Sequence, residues 1–97
     1  MLTSKQRAYL RGLANTKSAI FQIGKGGVTD EITAEIDLAL EKRELIKVTV
    51  LETAFMTARE ACNAVCEATG ADGVQCIGNK FVIYRPSKEN KEIELPR

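Results

Sequence analysis

Three closely spaced glycines, Gly24, Gly26 and Gly27, constrain the fold of this 97-residue chain more than any other feature of its sequence. They follow residues 19–23, a short apolar segment with β-branched and aromatic side chains, which predicts a strand. Thr29 and the two acidic residues after it predict a helix start, with Thr29 as the N-cap. A strand that enters a helix through a glycine turn predicts a β-α-β unit, whose strands run parallel.

The rest of the chain extends this unit to the order α-β-α-β-α-β-β. The further elements are a first helix that starts with a capping box at residues 3–6, a strand over 45–51, a third helix over about 53–69 that ends at Gly70, and a β-hairpin over 74–85 with Gly78-Asn79 as its turn. This order predicts an α/β fold, a two-layer sandwich with a mixed four-stranded sheet packed against the helices.

The domain organisation follows from the same elements. Residues 1–85 are expected to form a single domain, because no repeat or low-complexity segment interrupts them. Residues 86–97 are polar and bracketed by prolines, so we expect a loosely held C-terminal tail.

Composition excludes several kinds of chemistry. The sequence has no histidine, so zinc sites that need histidine, Ser-His-Asp triads and Cys-His dyads cannot form. The three cysteines, Cys62, Cys66 and Cys76, fall on an apolar stripe or in a short strand, and we expect them to pack in the core as free thiols. A fourth ligand for zinc is missing, so we expect no metal, and we expect no cofactor. No pair of carboxylates has a context that predicts burial, so we expect no enzyme activity.

Location and membrane contact are predicted from hydropathy. No apolar run approaches the length of a membrane span, and the N-terminus lacks the apolar region of a signal peptide. These absences point to the cytoplasm or to an organelle matrix, and we expect a cytoplasmic protein that does not associate with membranes.

The charges are segregated along the sequence. Residues 1–29 carry five basic side chains and no acidic one, a net charge of +5, whereas residues 30–97 carry a net charge of −4. An all-positive segment attracts anions, and phosphate-rich polymers are the obvious candidates. The alternative is an ordinary solvated helix face.

The glycine spacing narrows the kind of anion. The sequence lacks a Walker A loop, and Thr29 stands where a dinucleotide fingerprint needs glycine. The spacing G-x-x-G from Gly24 to Gly27 fits the backbone clamp of the KH class of RNA-binding modules. At a helix N-terminus, free backbone amides and the helix dipole favour a phosphate, and Lys25 adds a charge. The alternative is a tight turn that needs glycine only for positive φ angles.

Four segments, residues 5–11, 23–27, 44–48 and 77–85, together resemble the CRM domain (chloroplast RNA splicing and ribosome maturation). The resemblance covers about residues 2–85 and is to the free-standing bacterial, YhbY-type form. It implies an α/β fold like the C-terminal domain of a bacterial translation initiation factor. It also implies RNA binding through the glycine loop and its basic flank, and association with precursors of the large ribosomal subunit.

These observations lead to one expected function and two alternatives. We expect a non-enzymatic protein that binds ribosomal RNA in precursors of the large subunit, acts as a monomer and does not bind DNA. The expected RNA-binding residues are Gly24, Lys25, Gly26 and Gly27 of the loop, with Lys5, Arg7, Arg11 and Lys17 as the basic flank. The alternatives are a protein–protein adaptor that uses the same basic surface and an enzyme that acts on a phosphorylated small molecule.

Overall fold

The computed structural model describes residues 2–97, and its elements follow the predicted order. The elements are α1 (Ser4–Ala14), β1 (Phe21–Ile23), α2 (Asp30–Arg43), β2 (Leu45–Val50), a 3-10 turn (Glu52–Ala54), α3 (Ala58–Thr69), β3 (Asp72–Ile77) and β4 (Lys80–Tyr84). The N-caps predicted for the first two helices, Thr3 and Thr29, are confirmed. Over the described range, the helices are too short or too polar to cross a membrane.

The four strands form one mixed sheet in the order β1-β2-β4-β3. β1 and β2 are parallel, with Ile23 opposite Val50, and α2 connects them. β4 pairs antiparallel with both β2 and β3, and the hairpin turn has Gly78 at a φ of 58°. The predicted α/β class and mixed four-stranded sheet are therefore confirmed, with β1 and β3 as the two edge strands.

Helices cover both faces of the sheet, so the molecule has three layers where two were expected. α2 and α3 pack on one face, which includes Ile23, Val48 and Phe81. α1 packs on the other face, against Leu45, Val82 and neighbouring apolar side chains. The central strands β2 and β4 thus bury side chains on both faces.

The third helix begins later than predicted, at Ala58 and not near Thr53. The hydroxyl of Thr57 accepts a hydrogen bond from the Glu60 amide at 3.0 Å, and the Glu60 carboxylate accepts one from the Thr57 amide at 2.8 Å. This capping box fixes the start of the helix. Phe55, just before it, has a φ of 53°, which a right-handed helix cannot include.

The C-terminal segment, residues 86–97, is bonded to the domain, which corrects the expectation of a loosely held tail. Glu44, at the end of α2 and only 1% exposed, accepts hydrogen bonds from the backbone amides of Ser87, Glu92 and Ile93 at 2.7 to 2.8 Å. A polar composition predicts a solvated segment, but here the backbone amides of the segment find buried acceptors.

Further contacts extend along the segment to its end. Glu41 accepts hydrogen bonds from the amides of Lys88 and Glu89. Ile93 and Leu95 pack against the apolar cluster under α1. The composition of the segment could not predict these contacts, since the partners lie on helices that are remote in sequence.

Candidate nucleic-acid interface

One end of the sheet gathers the glycine loop, defined as residues 24–27, the hairpin turn and the segment that leads into α3. The Leu51 amide donates to the Ile23 carbonyl at 2.8 Å, and the Val50 amide donates to the Asn79 carbonyl at 2.7 Å. The glycine loop and the hairpin turn therefore flank the end of β2 on either side. They are about two strand spacings, or ~10 Å, apart.

The glycine loop is a tight turn closed by a hydrogen bond from the Gly27 amide to the Gly24 carbonyl at 2.8 Å. Gly27 has a φ of +69°, in the left-handed region that favours glycine, whereas Gly24 and Gly26 do not. A Cβ on Gly26 would press on the Thr29 side chain at 3.3 Å, but a Cβ on Gly24 would make only ordinary contacts at 3.5 Å. The positive φ thus explains why residue 27 is glycine, and crowding explains why residue 26 is. Neither reason applies at residue 24.

The tip of the loop offers hydrogen-bond donors and one positive charge. The amides of Lys25 and Gly26 find no partner within residues 2–97, and both residues are exposed. The first amides of α2 add donors at the positive end of the helix dipole. Asp30 and Glu31 occupy the same turn and offset that field. The loop can therefore hold an anion through direct contacts, not through a broad positive potential.

Four cationic side chains line a groove beside β2, called here the basic groove. It consists of two adjoining depressions that share Lys47, with Lys17 and Arg43 in the first and Lys80 in the second. Lys47 lies opposite Val82 in the sheet, which places it on the face that α1 only partly covers. No carboxylate among the described residues lines either depression.

Three residues of this groove were not predicted from the sequence: Arg43, Lys47 and Lys80. They belong to the part of the chain whose net charge is negative, so charge counting along the sequence pointed away from them. The one available signal was the position of Lys47 between the apolar residues of β2, which predicted a lysine that projects from the sheet. Its cationic neighbours come together only through the sheet order.

The basic residues of α1 project to other places. The Lys5 ammonium donates to the C-terminal carbonyl at 3.1 Å, and the Arg7 guanidinium donates to the Gly73 carbonyl on β3 at 3.2 Å. Since β3 and β1 are opposite edges of the sheet, Arg7 lies far from the glycine loop. Arg11 is half-buried in the last turn of α1. Of the expected basic flank, Lys17 lines the basic groove, and the structure does not bring Lys5 and Arg7 to the loop.

The aromatic–cation pair at the end of β4 belongs to the fold. Tyr84 packs under α1, and burial raises the pKa of its hydroxyl. The Arg85 guanidinium lies 3.2 Å from Asp37 and 3.6 Å from Glu41, both on α2. Neither side chain is free to stack on a base.

The three cysteines are free thiols at the interface of α3 and the sheet, as predicted. The Sγ atoms of Cys62 and Cys66 are 4.0 Å apart, and their hydrogen bond together with burial raises the pKa of Cys62. Burial also raises the pKa of Cys76. Metal ligation needs thiolates, and residues 2–97 contain no cluster of three His, Cys, Asp or Glu side chains that could hold a metal ion.

The sequence and the fold are similar to known proteins. The family model described as the CRS1 / YhbY (CRM) domain matches residues 2–85. The chain is 48% identical to the "Probable RNA-binding protein YqeI" of Bacillus subtilis (strain 168) over 96 residues. This alignment covers 99% of this chain and 100% of that protein. The chain is 43% identical to an "RNA-binding protein" of Haemophilus influenzae, over 99% of this chain and 96% of that protein. The solution structure of the hypothetical protein SAV1595 from Staphylococcus aureus matches with a TM-score of 0.79 at 51% identity, over 99% of this chain and 100% of that chain.

Proposed function

The chain belongs to the CRS1 / YhbY (CRM) domain family, and on that premise we propose that it is an RNA-binding protein without catalytic activity. The names of its relatives from Bacillus subtilis and Haemophilus influenzae support RNA as the ligand. We further propose that the RNA is ribosomal RNA in precursors of the large ribosomal subunit, whose assembly the protein assists. We also propose that the protein acts as a monomer in the cytoplasm.

The basic groove is the observation that carries this proposal. Four cations gather on one open surface from which carboxylates are absent, although the whole chain has a net charge of only +1. A surface of this kind fits a polymer of phosphates, because each phosphate can pair with one cation and release a counterion.

In the proposed mechanism, two parts of the surface bind phosphates of the same RNA strand. The free amides of the glycine loop and Lys25 bind one phosphate by direct hydrogen bonds. The basic groove neutralises the neighbouring phosphates along the same strand. Contacts of this kind position RNA without reading its bases, so the shape of the RNA selects the site.

The test measures how tightly three variants, each with one lysine replaced by glutamine, bind a labelled ribosomal RNA fragment at low salt. We expect Lys47→Gln in the groove and Lys25→Gln in the loop each to weaken binding about fivefold, the effect of losing about 1 kcal/mol of charge-assisted contact. Lys88→Gln is the matched control, because Lys88 is exposed on the C-terminal segment and outside both parts of the surface.

Equal affinity of all three variants and the wild type would refute the proposed surface. Competition by poly-glutamate as strong as by RNA would favour an adaptor that binds acidic proteins.

For the ribosomal target, we expect the protein to sediment with large-subunit precursors on a sucrose gradient and Lys47→Gln to reduce that fraction. Sedimentation only at the top of the gradient would contradict this part.

A further inference from the structure

Phe55 is the most exposed large hydrophobic side chain among residues 2–97, with 93% of its surface open to solvent. It lies between the 3-10 turn and α3, with φ and ψ of 53° and 39°. This left-handed conformation suits glycine, whereas a phenylalanine is strained in it. The chain therefore holds an aromatic ring in water on a backbone that disfavours it.

Folding does not explain this ring. A side chain with 93% of its surface exposed buries almost no apolar area, so it contributes little to stability. The start of α3 is secured by the capping box of Thr57 and Glu60, in which Phe55 takes no part. The ring is therefore available for contact with another molecule.

The segment that carries the ring adjoins the glycine loop. A Cβ on Gly24 would lie 3.5 Å from side-chain atoms of both Leu51 and Thr53, and Phe55 follows Thr53 by two residues. The Phe55 amide donates to the Glu52 carbonyl at 3.1 Å, which turns the chain tightly at this place. The ring and the free amides of the loop thus belong to the same end of the sheet.

We propose that Phe55 stacks on an unpaired base of the RNA strand whose phosphate the glycine loop holds. This inference rests on the proposed RNA binding and narrows its ligand to RNA with unpaired nucleotides, in a loop, a bulge or a single strand. Paired bases inside a helix have both faces covered and cannot stack on a side chain, whereas splayed bases stack on exposed aromatic rings.

The surroundings of the ring favour a base over a protein partner. Beside Phe55, the exposed large hydrophobic side chains described at this end of the sheet are Leu51, which is only 37% exposed, and Ile77, which lies before the hairpin turn on the far edge strand β3. One ring and part of a leucine are much smaller than the apolar centre of a protein interface, but they match the face of one base. Glu52 and Glu60 lie close in the chain and repel phosphates, so a nucleotide that reaches the ring presents its base.

The experiment uses the full chain, an RNA stem-loop and a fully paired RNA duplex with the same number of nucleotides, both labelled. We expect the wild type to bind the stem-loop more tightly than the duplex. Phe55→Ala should weaken stem-loop binding about tenfold and leave duplex binding unchanged, as expected for the loss of one base stack. The melting temperature of Phe55→Ala should equal that of the wild type, because the ring has almost no intramolecular contact.

A second variant reports the contact directly. The chain contains no tryptophan, so Phe55→Trp introduces a single one, whose fluorescence a stacked base should quench when the stem-loop is added. Leu38→Trp is the matched control, since Leu38 is 67% exposed in the middle of α2, away from the loop, and its fluorescence should not change.

The outcomes separate the inference from the function on which it rests. If the wild type binds the stem-loop, and Phe55→Ala binds it equally well while Phe55→Trp is not quenched, base stacking is refuted and RNA binding stands. If Phe55→Ala weakens stem-loop and duplex alike, the ring does not select unpaired bases, and the inference fails. If the wild type binds neither RNA, both the inference and the proposed RNA binding fail.

Discussion

Glu44 combines two features that are costly for a glutamate: a φ of 64° and a side chain that is buried to 1% exposure. Burial raises the pKa of its carboxyl, but the hydrogen bonds from Ser87, Ile93 and Glu92 and the charge of Lys91 outweigh burial, so the pKa lies below its usual value. The residue thus stays charged because three amides of the C-terminal segment surround it.

The neighbouring Glu41 titrates in the same direction. Hydrogen bonds from the Lys88 amide and the Ser87 hydroxyl are the main causes that lower its pKa from 4.5 to about 2. Both carboxylates therefore have a lower pKa in the folded than in the unfolded chain. Their contribution to stability is fully present above the unfolded pKa of about 4.5 and is lost as the pH falls through the folded pKa, toward about 2 for Glu41.

We predict that the free energy of unfolding falls as the pH is lowered from about 4.5 toward 2, measured by urea denaturation. Glu44→Gln should lower it by about 2 kcal/mol at neutral pH, because the new amide group places a donor against backbone donors. Glu35→Gln, exposed on α2, is the control and should change it by less than about 0.5 kcal/mol. Equal stability of Glu44→Gln and the wild type would show that the segment does not depend on this carboxylate.

At the scale of the element, the start of α3 shows how a cap selects a boundary. The sequence from Thr53 onward is compatible with a helix, and on propensity alone an earlier start was expected. The reciprocal bonds of Thr57 and Glu60 satisfy two amides at once, so the helix begins at Ala58. The residues before it are left to form the exposed turn at the glycine loop.

We predict that Thr57→Ala lowers the free energy of unfolding by about 1 kcal/mol, the typical effect of removing an N-cap hydroxyl. Thr53→Ala should have little effect, since Thr53 caps no helix in the structure. Chemical denaturation of the two variants side by side measures the difference. A larger loss for Thr53→Ala would place the start of the helix where propensity alone puts it.

At the scale of the whole molecule, charge is organised by surface and not by position along the chain. All charged side chains of residues 1–29 are basic, yet they do not form one surface. Arg7 lies at the β3 edge of the sheet and Lys25 in the glycine loop. The basic groove instead joins Lys17 to three cations from the acidic remainder of the chain. The order of the strands in the sheet therefore decides which cations together face the RNA.

We predict a steep salt dependence of RNA binding from this footprint. With about five phosphates contacted by the groove and Lys25, the slope of log affinity against log salt should be about −3.5 for a single strand and about −4.5 for a duplex. Lys47→Gln should reduce the magnitude of the slope by about one. Titrations across a salt series measure it, with a DNA duplex of equal length as the weaker ligand. A slope near zero would exclude binding through phosphates.

Local chemistry let the sequence alone determine the order of the elements, the caps of the first two helices and the fold class. Thr3, Thr29 and Gly78 are examples, because a cap or a tight turn is decided by residues within a few positions of each other. The position of the glycine loop between β1 and α2 was predictable for the same reason.

The tertiary structure decided which distant residues meet. The basic groove, the docking of the C-terminal segment on Glu44 and the placement of α1 on the opposite face from α2 and α3 all depend on the strand order β1-β2-β4-β3. Side chains such as Lys17 and Lys80 are far apart in the sequence, and no local pattern encodes their proximity. Burial of apolar area on both faces of the central strands selects the arrangement of the layers, and the surface charges then lie where that packing puts them.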